Sequence, residues 1–398
     1  MSSIPASEGG TSVRNTFLVF GRPDIREAEI GEVLDSIRSG WVGTGPKTAQ
    51  FQENFRKYVT ANYAQAVNSC TAALHLSVIA GDIQAADEVI TTPMTFCATS
   101  NVICHAGAIP IFADIDLETL NISPDAIEAC ITPKTRAILP VHFAGRPCNM
   151  NAIREIARKH NLIIIDDCAH AIEAYYGQEK IGSMADFSCF SFYVTKNMTT
   201  VEGGLVTTNN EEAISRIRRL SLHGLTKDAW KRFSDDGYKH YEVIEPGFKY
   251  NMTDIQAAFG LHQLQRIEEN LKIRQKIWKI YDQEFASLPI IPQSPTDSPG
   301  RHARHLYTLI LDINNLHVSR DAVIDALTKE NIGVGVHYIS IHRQPYYQDR
   351  FGIPDSRLPN ATFISDRTLS LPLSSGMTKQ DTYDVVTAVK KILNYYKR

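Results

Sequence analysis

The spacing of apolar and polar positions changes several times along the chain, and each change marks an element. From Pro23 to Ser39 the positions Ile30, Val33, Leu34 and Ile37 recur at helical spacing. The stretch SGWVGTGPK then reads as a loop with three glycines and a proline, and FQENFRKYV as a second short helix. From Ala64 the pattern shortens. AQAVNSCTAALHLSVIA is a brief apolar run, a polar turn and an Ala-rich helix. DEVITTP, IPIFADI, RAILPVHF and NLIIIDD read as strands, separated by the helical patterns TSNVICHAGA, PDAIEACI and NAIREIARKH. FSCFSFY and GGLVTTN continue the alternation less regularly, and a helix at EEAISRIRRLSL follows. Short apolar strands alternating with helices make a mostly parallel sheet covered on both faces, so the large unit is α/β.

A polar segment from His223 to Pro246 lacks periodicity and is expected to be a functional loop or a subunit contact. A long helical pattern from Asp254 to Phe285 comes next, with the span to bridge two domains. The proline-rich LPIIPQSPTDSPG precedes a second unit, with a strand at HLYTLILDI, a helix at SRDAVIDALTKE, a strand at GVGVHYI and a final helix at KQDTYDVVTAVKKILNYY. At 398 residues the chain is too long for one small core. The expected division is a flexible tail over 1–15, a large domain over 16–265, and a linking helix with a small C-terminal domain over 266–398.

Composition narrows the partners. The net charge of −3, from 41 basic and 44 acidic residues, gives no global field for a polyanion, so nucleic acid is not expected. The seven cysteines are odd in number, form no CxxC and several sit in apolar runs, which predicts buried thiols in a reducing compartment. The N-terminus has no apolar core of signal type, and no span reaches about 18 uncharged apolar residues. A cytoplasmic protein without membrane insertion is the expectation.

Four segments carry candidate chemistry. Lys196 of SFYVTKN follows an apparent strand, and a lysine of lowered pKa is a nucleophile for carbonyls, used above all in Schiff bases. Asp167 and His170 of IIIDDCAH lie just past a buried strand, where open sheets bind ligands. Ser69 and Thr71 precede an Ala-rich helix whose free N–H groups suit a phosphate. Phe96 of PMTFCAT follows a strand and a proline turn, placed to stack on a flat ring. Each has an ordinary reading: an exposed loop lysine, a helix cap with a packed histidine, a simple cap, a core aromatic. No P-loop and no GxGxxG is present, and no metal set is expected. A lysine, an acid, a phosphate-binding helix start and an aromatic plate together are what pyridoxal phosphate requires.

SGWVGTGPK, NSCTAALHL, TFCAT, DDCAHA, SFYVTKN, EGG and GFKYNMTDIQAAFGLHQL make the chain resemble the DegT/DnrJ/EryC1/StrS sugar aminotransferases, from about Val19 to the last helix. The resemblance implies fold type I of the pyridoxal-phosphate enzymes: a large domain with a mixed, mostly parallel seven-stranded sheet, a small C-terminal α/β domain, and a homodimer with shared active sites. It implies that Lys196 carries the cofactor as a Schiff base and shuttles protons, that Asp167 pairs with the pyridine nitrogen, and that His170 lies beside the ring. By the same likeness Phe96 stacks on the ring, Ser69, Cys70, Thr71 and Ser191 hold the phosphate, and Lys249 reaches the phosphate of the neighbouring subunit. Trp41, Thr44, His223, His337, Tyr338 and His342 look like segments bordering the substrate. Cys70 stands where many relatives have glycine, Tyr193 where many have histidine, and Lys249 where many have asparagine. The implied reaction moves an amino group from L-glutamate, through pyridoxamine phosphate, to the 4-keto position of a nucleotide-linked deoxysugar. The likeness is strongest to enzymes making UDP-linked 4-amino-4-deoxy-arabinose. Alternatives are a 3-aminotransferase, a GDP- or dTDP-sugar 4-aminotransferase, a dehydratase, or a pyridoxal-phosphate-binding protein without catalysis.

Overall fold

The computed structural model describes residues 4–226, 241–293 and 300–398. Its centre is a seven-stranded sheet in the order Tyr63–Val67, Gly204–Thr208, Phe187–Ser191, Ile163–Asp167, Thr135–Leu139, Glu88–Thr91, Ile109–Phe112. Gly204–Thr208 runs antiparallel to both its neighbours, and the other five strands from Phe187–Ser191 outward are mutually parallel. The mixed, mostly parallel sheet of fold type I is thus present. Consecutive strand residues face opposite sides, and the two cores follow from that. Ile164 joins Phe51, Phe55, Ile153 and Phe190 on one face, while Ile165 joins Leu74, Leu76, Val89 and Val206 on the other.

Strand register decides what meets at the sheet edge. Asp167 pairs with Cys189, and Ser191 and Val67 both pair with Gly204. Asp167, Ser191, Gly204 and the Asn68–Ser69 turn therefore share the edge at the C-terminal ends of the parallel strands. Ligands of open α/β sheets bind at that edge.

The C-terminal unit packs Ile267–Phe285, Arg320–Lys329 and Lys379–Tyr396 around an antiparallel pair, Tyr307–Ile310 with Thr368–Leu371. Its second strand is not the expected GVGVHYI. The backbone groups of that segment divide between two partners: Gly333 donates to Leu18 O and Gly335 exchanges bonds with Ser370, so no ladder propagates. The long helical pattern is two helices, Asp254–Gln265 and Ile267–Phe285, broken at Arg266 (φ −108°, ψ 12°), whose guanidinium turns to Glu29 and to Asp24 O. Of the polar segment 223–246 and the proline-rich segment, residues 227–240 and 294–299 lie outside the described residues. No helix among the described residues is long and apolar enough to cross a membrane. All seven cysteines are free thiols, with Cys148, Cys168 and Cys189 buried.

The N-terminal residues depart from the expected loose tail. Ala6 and Val13 donate their N–H groups to the two oxygens of Glu330 (2.8 and 2.7 Å), and Arg14 pairs with Asp381 and Asp384. Glu330 is fully buried and also pairs with Lys391 at 2.8 Å. The polar N-terminal sequence carries no sign of this, because its partners lie more than 300 residues on. Glu330→Ala takes the carboxylate from the Lys391 ammonium, which keeps only Thr11 O (2.7 Å), and leaves two N–H groups without an acceptor. It should lower unfolding free energy by about 3 kcal/mol in urea titrations and expose residues 4–14 to proteolysis.

Candidate active site

Asp167 ends its strand buried against the sheet, one oxygen accepting from Thr99 Oγ1 (2.9 Å) and the other from Ala169 N–H (3.1 Å). Burial pushes its carboxyl above the ordinary aspartate range, against the pull of those two bonds and of Lys196 and His142. Each oxygen retains acceptor capacity. Lys196 sits half-buried in the turn after Phe187–Ser191, and burial pulls its amine down to about 8, with Asp167 and Cys70 holding it up. A lysine so placed has a substantial neutral fraction near physiological pH.

His170 is buried one turn past Asp167. Its Nδ1 accepts from Ala144 N–H (3.2 Å), so in the neutral ring the proton is on Nε2, which donates to Tyr338 Oη at 3.3 Å. Burial, with Lys196, His305 and His337 adding, holds it well below the ordinary histidine range. The ring lies nearly parallel to Tyr338, at an interplanar angle of 11°. Tyr338 borders a cavity of about 820 Å³ with Phe96, His337 and Tyr346, and Phe96 keeps 61% of its surface exposed toward it. An aromatic this exposed is no core residue.

The helix Cys70–Ala80 begins at the same edge. Ser69 Oγ caps it by accepting from Ala72 N–H (3.1 Å), so the ordinary cap is present. The amides of Cys70 and Thr71, first in the helix, have no intrahelical acceptor. Cys70 is absent from the residues with positive φ, so the glycine of relatives is not required there for backbone reasons. Its thiol, pushed well up by its surroundings' burial, points to Cys189 O (3.6 Å). Opposite, a Cβ on Gly204 would lie 2.3 Å from Ser69 C and 2.5 Å from Cys70 N. Only glycine lets the strand start come this close to the helix start.

Other expected residues are placed unequally. Ser191 is buried at the edge, and Lys249 is exposed with its carbonyl bonded by Asn68 Nδ2 (3.3 Å), next to the helix start. Thr44 Oγ1 is taken up by Met252 O (2.5 Å) and Asn251 Nδ2 (2.7 Å), while Trp41 and His223 are exposed. His337 bonds Ser370 Oγ (2.9 Å) and is pulled down to about 4 by burial and by Lys196. His342 is not brought to the site. It is buried, with Nε2 facing Asp355 (3.1 Å) and Thr362 (3.3 Å). Thr99, Asn197 and His305, which sequence reading passed over, are part of the cluster. The adjacency of Asn197 to Lys196 was the one available signal.

Asp166, facing the opposite way from Asp167, makes a second buried group with His142 and Cys168, of metal-ligating types. Cys148 N–H donates to His142 Nδ1 (3.0 Å), which puts the neutral ring's proton on Nε2, toward Asp166 Oδ2 at 3.5 Å.

The model of the DegT/DnrJ/EryC1/StrS aminotransferase family matches residues 23–390. The chain belongs to this family. It is 48% identical over 381 residues to the spore coat polysaccharide biosynthesis protein SpsC of Bacillus subtilis, covering 96% of this chain and 98% of that one. Among solved structures, Spr1654 of Streptococcus pneumoniae, assigned as a sugar aminotransferase, superposes with a TM-score of 0.89 at 34% identity, covering 95% of this chain and 99% of that one. It has been solved in PMP, PLP and apo forms. DesI, solved in the presence of its TDP-sugar product, matches with a TM-score of 0.86 at 28% identity, over 98% of this chain and 97% of that one.

The residues present fit pyridoxal phosphate. Asp167 is a buried carboxylate with spare acceptor capacity, as a pyridine N–H needs, and the Gly204 approach leaves a helix start with free amides at the same edge. The rate at which the protein captures pyridoxal phosphate should rise with pH through a midpoint near the Lys196 value of about 8, because only the neutral amine attacks. Asp167→Asn removes the charge that holds the ammonium up, so stopped-flow absorbance should show the midpoint moving to lower pH.

Proposed function

We propose that this chain is a pyridoxal-phosphate-dependent transaminase that moves an amino group from L-glutamate to the 4-keto group of a nucleotide-linked deoxysugar. The observation that carries the reading is a buried carboxylate and a lysine of depressed pKa at one sheet edge, each altering the other's protonation. Family membership and the PLP and PMP forms of Spr1654 support it.

Bound pyridoxal phosphate supplies an electron-accepting ring for the carbanion formed when an α-proton leaves. Lys196 Nζ takes that proton and returns it at the other carbon, a task suited to an amine that exchanges protons near pH 8. Asp167, fixed by Thr99 and Ala169, keeps the ring nitrogen protonated. Phe96 offers an exposed face for stacking, and His170 lines the cofactor as a neutral ring. The amides of Cys70 and Thr71, with Ser69 and Ser191, take the phosphate.

Lys249 would then serve a second subunit. The helix Glu27–Ser39 leaves Ile30, Leu34 and Ile37 exposed in a row that continues into Trp41 and Val42, an apolar face that a second copy of the chain would cover. Trp41, His223, His337 and Tyr338 border the sugar in this reading. UDP is the proposed nucleotide, with a 4-amino-4-deoxy-arabinose-type product, and the free cysteines suit the cytoplasm. The likeness to SpsC supports a product destined for a surface polysaccharide, and the TDP-sugar product of DesI makes dTDP the specific alternative.

On the loaded protein, L-glutamate should bleach the visible absorption band, and one member of a panel of UDP-, GDP- and dTDP-4-keto sugars should restore it. A band that never responds to glutamate overturns the transaminase; a response to glutamate but to no sugar overturns only the acceptor. Lys196→Ala should abolish turnover while the protein preloaded with pyridoxamine phosphate still binds the sugar, measured by calorimetry. A complete cycle in that variant would mean that another base moves the proton.

A further inference from the structure

A buried hydrogen-bonded chain between Lys196 and the C-terminal unit takes no part in the chemistry above. Residues 301–305 run as a strap over the site. Ala303 N–H donates to Gly145 O (2.9 Å), His305 N–H to Ala144 O (3.0 Å), and the Arg301 guanidinium to Glu173 O (2.8 and 2.6 Å). The strap is therefore stitched along both sides. It brings the His305 ring to 4.4 Å from that of His170.

The tautomer of His305 follows by elimination. Asn197 Nδ2 donates to Glu173 Oε2 (2.7 Å) and to Ala303 O (3.1 Å), and both of these groups only accept. Asn197 Oδ1 must then face His305 Nδ1, 2.9 Å away, and Nδ1 must carry the proton. Glu173 is itself held by an ion pair with the buried Arg274. Burial keeps His305 well below the ordinary histidine range, and Lys196, His337, Arg274 and His302 push the same way. The ring is neutral, so its Nε2 is a lone-pair acceptor. Among the described residues nothing donates to Nε2, and the atom is not sealed in the core.

We propose that His305 is a positioning residue for Lys196: the Glu173–Asn197 pair locks its neutral ring onto the turn that carries the lysine, and the buried ring keeps water from that turn. The proposal rests on the transaminase reading. Asn197 is the chain neighbour of Lys196, so the contact that locks the histidine also fixes the lysine's turn. Lys196 otherwise feels Asp167 and Cys70, which hold its proton on, and the neutral His170 and His337, which feel the lysine in turn. Removing the His305 ring admits water and relieves the burial that depresses the amine.

The test compares wild type, His305→Ala and His305→Gln, stripped of cofactor for the capture measurement and loaded with it for the glutamate step. The pH midpoint of pyridoxal phosphate capture is read by absorbance with no amino donor present, and the glutamate half-reaction by stopped flow. His305→Ala should raise the capture midpoint by about one pH unit. It should also slow the glutamate step by about tenfold, with KM for glutamate within about twofold. His305→Gln, whose amide can both donate to Asn197 and accept, should return the midpoint to the wild-type value and restore most of the rate. A wild-type midpoint in His305→Ala overturns the proposal. Equal impairment of the two variants also overturns it, because only ring packing would then be missing. If His305→Ala does not fold, His305→Ser, which keeps a donor for Asn197 but not the ring, must raise the midpoint; an unchanged midpoint there overturns the proposal as well. Wild-type protein that captures the cofactor but ignores glutamate defeats the transaminase reading instead, and the capture midpoints still report on His305.

Discussion

A carboxylate buried at the end of a parallel strand is costly unless something positive or proton-bearing faces it. Asp167 has two neutral donors, Thr99 and Ala169 N–H, and a lysine whose own proton is weakened by the same burial. No protein cation is dedicated to it among those neighbours. In the proposed function a ring N–H completes the balance, and the surrounding structure leaves room for one. The parallel strands supply an edge at which Asp167 can be dry on one side and open on the other. Asp166, one residue earlier, faces His142 on the opposite side, so two adjacent acids have separate tasks.

Burial also explains the histidines around Lys196. His170, His305 and His337 are all pushed to the neutral form. Neutral rings pack beside an amine without adding charge, and each ring nitrogen then has a definite role as donor or acceptor. For His170 and His305 the backbone of Ala144 and the amide of Asn197 set those roles. The arrangement joins elements distant in the chain: the Lys196 turn, the Ala144–Gly145 loop and the strap 301–305. The C-terminal unit is thereby a contributor to the site as well as a neighbour of it.

The motif-bearing segments were legible because each packs its chemistry into a few consecutive residues at a strand end. DDCAH, NSCT and SFYVTKN fall at one edge once the strands are in register. His342 lay in an equally suggestive segment but spends its ring on Asp355 and Thr362. A histidine's destination depends on the rotation of a short helical turn, which sequence spacing does not report. GVGVHYI failed as a strand for a related reason: its alternation was right, but its backbone partners were two different segments.

The sequence by itself determined the alternating α/β order and the segments that meet at the sheet edge, since periodicity and short motifs are local properties of the chain. The tertiary structure alone decided that the N-terminal residues bind Glu330, that Thr99 holds Asp167, and that His305 stands beside His170. Those contacts join residues 68 to 324 positions apart. Their partners are selected by strand order and chain path, which no local pattern encodes.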